Sequence, residues 1–374
     1  MRKAFLLLIL LLTAVGGVAA AQDVTATFCG TLSDADCAIL TDSAAAMRDL
    51  QSAAFNFQLD ANLADLPDEP SDVAVRLTGN GSYSVNSDAL SALMLSQAEM
   101  MENIDQLPQL FEDAIKAISA DATLVLYLPQ NLPDTDQELP EKVGLSLRMV
   151  DGVGYINLDK LAELDTTGDL PRGWMGTDIA GFMRETLESQ TGSLPPMSGT
   201  GTMNSEMMSA FSSPEFMQQF MTVERVDDVT LDGQNAAVFN QSIDVGAMFS
   251  SDEFQKMIRE QLDASANSSG MSAQGMESIL EIYSSLFKGF VVNTTQTIGL
   301  DDHFVHRFTL TLDWALDFDS MIGSFGGSGA KTPPINIHVS FEGSLSQFNN
   351  APAITAPDDA QIIPLDKLLG RASL

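Results

Sequence analysis

The sequence predicts an α+β fold in which helices cover the apolar face of a large curved antiparallel sheet. Apolar and polar residues alternate at period two in unusually long runs, the mark of strands with one buried side. Segments between these runs carry apolar residues at helical spacing behind helix-start signals. The runs also keep their phase, so each strand has one wet side and one dry side, as antiparallel sheets allow.

The first run sets Phe55, Phe57, Leu59, Ala61 and Leu63 against Asn56, Gln58, Asp60 and Asn62. Val73, Val75 and Leu77 continue in phase to Tyr83 and Val85. Val143, Leu145, Leu147 and Met149 lead into Asp151-Gly152, a favoured two-residue hairpin turn. In the longest run, Phe304, His306, Phe308, Leu310, Leu312, Trp314, Leu316 and Phe318 alternate with residues such as Arg307, Thr309, Thr311 and Asp313. Fifteen such residues would span about 50 Å. A strand near Phe290 to Leu300 and the turn Asp301-Asp302 precede it, and Ile335, Ile337, Val339 and Phe341 follow it.

Helices are expected where covers are needed. Asn86 or Ser87 is placed to cap one carrying Leu90, Leu93, Met94, Met101 and Ile104, continued after Pro108 by Phe111, Ile115 and Ile118. Ser213-Pro214-Glu215 is a helix start with proline at the first position, leading to Phe216, Met217, Phe220 and Met221. Ser250 with Glu253 reads as a capping box ahead of Phe254, Met257, Ile258 and Leu262. A last helix carries Met276, Ile279, Leu280, Tyr283, Leu286 and Phe287. Strands and helices recur in a weak echo near 53–150 and 223–345, which favours one continuous sheet over two domains.

Arg2 and Lys3, an apolar stretch from Ala4 to about Leu12, and small residues through Ala21 read as a secretory signal peptide over residues 1–21. The expected mature chain is exported to the periplasm or the extracellular medium. It is not lipid-anchored, because the first cysteine, Cys29, falls several residues past the cleavage point. Cys29 and Cys37 are the two cysteines, and in an exported chain they read as a small disulfide loop.

A net charge of −33 repels nucleic acid and anionic head groups, so nucleic acid is excluded as a partner. Catalytic chemistry is poorly supplied. There are three histidines, and no nucleophile elbow, His-Glu-x-x-His, Walker or calcium-loop motif. His303 and His306, three apart on a strand, point to opposite faces and cannot share a metal without a bulge. His306 reads as a core histidine bonded to a neighbour, and His338 as a solvated one. Asp313, Asp317 and Asp319 share the outward side of one strand and read as a solvated edge. The chain is therefore expected to be neither an enzyme nor a cofactor or metal carrier.

Four stretches carry a family resemblance: Met47 to Ser52 running into Phe57; Asp151 to Asn157 with Leu170-Pro171-Arg172-Gly173-Trp174; Val223-Glu224-Arg225-Val226 with Leu231-Asp232-Gly233; and the late strands ending in Ile354-Thr355-Ala356-Pro357. Together they resemble the LolA-like superfamily of lipoprotein carriers, including the LppX and LprG type of cell-envelope lipid-binding proteins. The resemblance implies a half-barrel sheet wrapped around covering helices, with an apolar cavity that shields acyl chains. It implies one such domain over 22–374, with helical insertions near 87–118 and 190–221. The chain departs from the group in lacking a lipobox and in carrying those insertions.

Of the 19 methionines, 12 fall between Met175 and Met276, a density that suits a cover accommodating varied apolar ligands. The sequence thus points to a hydrophobic partner, a lipid or other acyl-bearing ligand, with transient contact to a membrane or lipoprotein. The candidate lining residues are Phe57, Met94, Met101, Phe111, Trp174, Phe220, Met257, Tyr283, Phe308, Leu312 and Trp314. The alternative is a structural or adhesive cell-envelope protein with a filled core and no ligand.

Overall fold

A computed structural model describes residues 27–66, 72–86, 107–128, 140–164, 168, 170–191, 214–231, 233–259, 284–316 and 334–364. The segment read as a signal peptide, the helix placed at 87–106 and most of the last helix lie outside these residues. So do Asp317, Asp319, Met94, Met101 and Tyr283.

The elements run α1 (Asp34–Arg48), β1 (Ser52–Ala64), β2 (Val73–Val85), α2 (Leu107–Lys116), β3 (Ile118–Tyr127), β4 (Lys142–Val150), β5 (Val153–Asn157), α3 (Asp159–Leu164) and β6 (Trp174–Asp178). Then come α4 (Ile179–Thr191), α5 (Pro214–Phe220), β7 (Met221–Leu231), β8 (Gln234–Asp244), α6 (Val245–Ser250), α7 (residues 252–259), β9 (Val291–Gly299), β10 (Val305–Leu316), β11 (Ile335–Ser346) and β12 (Gln361–Ile362).

The twelve strands of the described residues join one open sheet in the order β12-β6-β5-β4-β3-β2-β1-β11-β10-β9-β8-β7. Each pair is antiparallel except β12 with β6. The first and last strands of the order do not meet, so the sheet is not closed into a barrel.

Local chemistry explains the joints. The β4–β5 hairpin turns through Asp151 and Gly152 at φ 51° and 80°, as a primed two-residue turn requires. A side chain at Gly152 would also meet the Ala180 methyl at 2.5 Å. Ser33 caps α1: its Oγ accepts from the Asp36 amide at 3.2 Å and donates to the Asp36 carboxylate at 2.7 Å. Bulges interrupt β10 between Val305 and Arg307 and β7 between Val226 and Val229.

The tail returns along the sheet after β11. The Asn349 amide donates to the Ser52 carbonyl and its side-chain oxygen accepts from the Gln51 amide, both at 2.7 Å. Arg148 then donates to the Thr355 carbonyl at 2.8 Å, and β12 pairs with β6.

Several expectations are corrected. Ile118 opens β3 rather than ending a helix. β10 begins at Val305, one residue later than expected, with Val305 opposite Ile298 across a bulge; it is described to Leu316, and Phe318 lies outside the described residues. The cap of α7 is Ser251, one residue later than expected: its Oγ accepts from the Phe254 amide at 3.2 Å, while Ser250 donates back to the Gly246 carbonyl.

Cys29 and Cys37 are joined, eight residues apart. They pin the segment that leads into α1 and carries Phe28 and Leu32, which pack with Leu40 of α1 against Val223, Ala237, Phe239 and Ile298. Closing a loop of this size removes about 2.5 kcal/mol of chain entropy from the unfolded state. Urea titrations with and without reductant are therefore expected to differ by about that amount, with hydrogen exchange in α1 rising first.

Candidate functional site: an apolar sheet face

Directly opposed residues of an antiparallel pair point to the same side, so the registers give the composition of each face. One line across the sheet reads Leu145, Leu124, Gly79, Phe57, Gly343 and Phe308. The neighbouring line, two residues along each strand, reads Val143, Leu126, Leu77, Leu59, Phe341 and Leu310. Further lines add Val75, Ala61, Val339 and Leu312, then Val73, Leu63, Ile337 and Trp314. The apolar sides of six adjacent strands form one surface, about 24 Å across the strands at a spacing of about 4.8 Å.

Glycine keeps the floor of this surface low. A Cβ at Gly79 would lie 2.4 Å from the Phe57 ring and 2.8 Å from Leu124, and one at Gly343 would lie 2.4 Å from the Phe308 ring. The two phenyl rings thus lie over bare backbone. Phe341 completes the layer, stacked on Phe57 at 5.6 Å and on Phe308 at 5.2 Å between centroids. Leu77, Ala122 and Leu124 are buried at the centre, whereas Phe57, Leu59, Phe308, Leu310, Leu312, Val339 and Phe341 are only half-buried.

The opposite face is polar. It carries Asn56, Gln58, Thr78, Asn80, Thr309, Thr311, Ser340 and Glu342, with cross-strand pairs Asp60–Arg76 and Asp121–Arg148. His338 binds the Asp313 carboxylate here at 2.7 Å, with about half its side chain exposed.

Margins of the apolar face are covered by the protein's own side chains. On the β7–β9 side, Leu40 of α1 closes over Val223, Phe239 and Ile298. At the Trp314 end, its indole N–H donates to the Leu286 carbonyl at 2.6 Å. Phe287 stacks on the indole at 5.9 Å, Phe290 tilts against it, and Phe249 and Phe254 of α6 and α7 continue the stack. At the β3–β5 end, α2 and α4 are held together by Glu112, a buried carboxylate bonded to Lys116 at 2.5 Å and Arg184 at 2.9 Å.

The candidate lining residues separate accordingly. Phe57, Phe308, Leu312 and Trp314 share the apolar face. Phe220, tilted against Phe216, and Met257 belong to the covering helices α5 and α7. Phe111 on α2 is exposed, because that helix buries Pro108, Glu112 and Ala114 instead. Trp174 is a correction: it opposes Asn157, which opposes Ser146, so it lies on the polar side under the Arg148 guanidinium at 5.4 Å.

His306 bonds the Asp302 carboxylate at 3.0 Å and meets Phe348 edge-on. Among the described residues, no three His, Cys, Asp or Glu side chains are grouped to hold a metal. None of the described helices is long and apolar enough to cross a membrane.

Three carboxylates are held below their ordinary range. For Asp36 the main cause is the Ser33 hydroxyl, followed by Arg225. For Glu112 it is the Lys116 hydrogen bond, opposed by burial and helped by Arg184. For Asp60, burial pulls upward and is outweighed by bonds from Arg76 and Gln58. Depressed carboxylates contribute stability fully above the ordinary carboxylate pKa and lose it as pH falls through the folded value. Thermal stability is thus expected to drop below about pH 4. At pH 7, where −33 charges repel one another, Tm should rise between about 0.01 M and 1 M salt as the screening length shrinks from about 30 Å to 3 Å. Thermal scans over both variables check this.

Several solved structures are similar to this chain. They include the lipoprotein LppX of Mycobacterium tuberculosis, at 13% identity over 86% of this chain and 100% of that one, with a TM-score of 0.27. LprF from Mycobacterium bovis is 12% identical over 87% and 96%, with a TM-score of 0.29. A LolA superfamily protein from Nitrosomonas europaea is 8% identical over 84% and 94%, with a TM-score of 0.14. No family model and no curated protein matches the chain.

Proposed function

We propose that this chain is an exported, non-enzymatic binding protein that holds the acyl part of a lipid, or another hydrophobic ligand, against the apolar face of its sheet. The observation that carries this reading is the half-burial of an unbroken apolar layer from β4 to β10. A side chain such as Phe341, flanked by two stacked rings, is not fully covered by the fold and leaves part of its surface for an apolar partner. Covering about 400 Å² of such surface would contribute on the order of 10 kcal/mol before the costs of association. Flexible methionines on the cover, Met257 among them, suit a ligand of variable shape.

Export is part of the same reading and rests on the signal-peptide pattern and the disulfide. Both cysteines of the sequence are spent in that disulfide, which leaves no free thiol for a thioether-linked lipid and favours an unanchored protein. The acidic surface argues against nucleic acid and against lasting adsorption to anionic membranes. The aromatic stack around Trp314 favours a second reading at that margin, a ligand-free structural protein, since there the protein fills its own space.

Native mass spectrometry of protein purified from its own host separates the two, together with titration by a fluorescent fatty-acid probe. Co-purified lipid and saturable probe binding are expected. Absence of both would leave the structural reading standing.

A further inference from the structure

Beside β10 the apolar face is interrupted by uncharged polar side chains. Thr294 and Gln296 of β9 oppose Leu310 and Phe308 on one side, and Gln241 and Phe239 of β8 on the other. Register therefore puts Thr294, Gln296 and Gln241 on the same face as Phe57 and Phe341, beside the half-buried aromatic layer. All three are themselves half-buried. Their neighbours make their polarity conspicuous: Phe239, Val223 and Ile298 around them are buried under α1. Neither the two amides nor the hydroxyl has a side-chain hydrogen-bond partner among the described residues.

Contrast with the other face sharpens the point. There Thr295 and Asn240, the adjacent residues on the same two strands, bond one another at 2.8 Å. The strip also lacks charge to offer. The cation nearest in register, Arg225, opposes Phe239, and its guanidinium is committed to Asp36 at 2.5 Å and Asp228 at 2.6 Å while lying over the Phe239 ring. An anionic head group placed here would lose its hydration and meet no free positive charge.

Resting on the lipid-binding reading above, we propose that Gln241, Thr294 and Gln296 form the polar subsite of the ligand face. It receives the uncharged oxygen-bearing head of an amphiphile, ester or hydroxyl groups of the acylglycerol kind, while the acyl chain runs from β10 across β11 and β1 toward β3. Two amides and a hydroxyl supply both donors and acceptors, which an ester carbonyl and a free hydroxyl require together. Binding would pair half-buried polar groups that the fold leaves open, and the ligand would lie in one direction rather than two.

Titrations of the full-length mature protein with monooleoylglycerol and with oleate, at equal chain length and pH 7, test the assignment by displacement of N-phenylnaphthylamine. The wild type is expected to prefer the uncharged lipid by about tenfold or more, since hydrogen bonds to a desolvated site are worth about 0.5–1.5 kcal/mol each. The Gln241→Leu/Gln296→Leu double variant is expected to lose that preference and to keep its affinity for the purely apolar probe. The near-isosteric Thr294→Val should lose part of it, and serves alone if the double variant does not fold. Equal affinity for both lipids, or a preference unchanged in the variants, overturns the subsite and leaves the ligand face intact. Failure of wild type to bind probe and both lipids overturns the ligand reading itself, and the subsite with it.

Discussion

Phe341→Asp is expected to weaken binding of an apolar probe by at least about a hundredfold, because a carboxylate would then stand in the centre of the Phe57–Phe341–Phe308 layer, where it has no partner. The same change should cost the fold comparatively little. Truncating a fully buried phenylalanine typically costs about 3–5 kcal/mol, but Phe341 is only half-buried, and its new charge can turn its open side to water. A loss of about 1–2 kcal/mol is therefore expected in denaturant unfolding. The pairing of the two measurements is diagnostic. If stability collapses along with binding, Phe341 belongs to a filled interior and the face is not available to a ligand.

The second large effect concerns the backbone. Gly81 of β2 stands opposite Phe55 and Ala122, and a Cβ there would come 1.9 Å from the Asp121 carbonyl oxygen and 2.9 Å from the Ala122 Cα. A flexible side chain could move aside, but these are strand backbone atoms held in the ladder. Gly81→Ala is therefore expected to destabilise the protein by about 3 kcal/mol or more, at the upper end for overpacking. Gly144 in β4 supplies the control: no atom lies within 4 Å of its Cβ position, so Gly144→Ala should be neutral or stabilise by up to about 1 kcal/mol. Thermal and urea unfolding of the two variants side by side would show it, and similar midpoints for both would contradict the close approach of β2 to β3.

Much of the sheet was legible because period-two alternation reports burial directly. The β1, β2, β4, β10 and β11 runs have strong contrast between their sides, and register then aligns their apolar sides without exception from Leu63 to Phe55. β3 was harder to see. Its inward residues Ala120 and Ala122 are small, and Leu124, Val125 and Leu126 run together, so the alternation is blurred where the strand is most central. Trp174 was misplaced because β6 is only five residues long and offers no phase to follow; its ring lies instead against the Arg148 guanidinium on the polar side.

The polar subsite gave no signal at all in the sequence. In Val291 to Gly299 both sides of β9 carry Thr, Asn or Gln, and only the partners supplied by β10 and β8 tell the two sides apart. The disulfide and the single sheet were both readable, the first from cysteine count in a chain read as exported, the second from the weak echo between the halves.

The bulge in β7 bears on how this protein behaves when concentrated. Among the described residues β7 ends the sheet order, and its outer row of amides and carbonyls has no strand there to pair with. A regular strand there would invite a further copy to add on and seed fibrils. The break between Val226 and Val229 falls where Asp227 and Asp228 are exposed, so a docking chain would meet both a distorted ladder and two like charges. Near the isoelectric point, about pH 4.1, the net repulsion between copies falls towards zero, and the distorted ladder is then the main obstacle to a second copy adding to this edge.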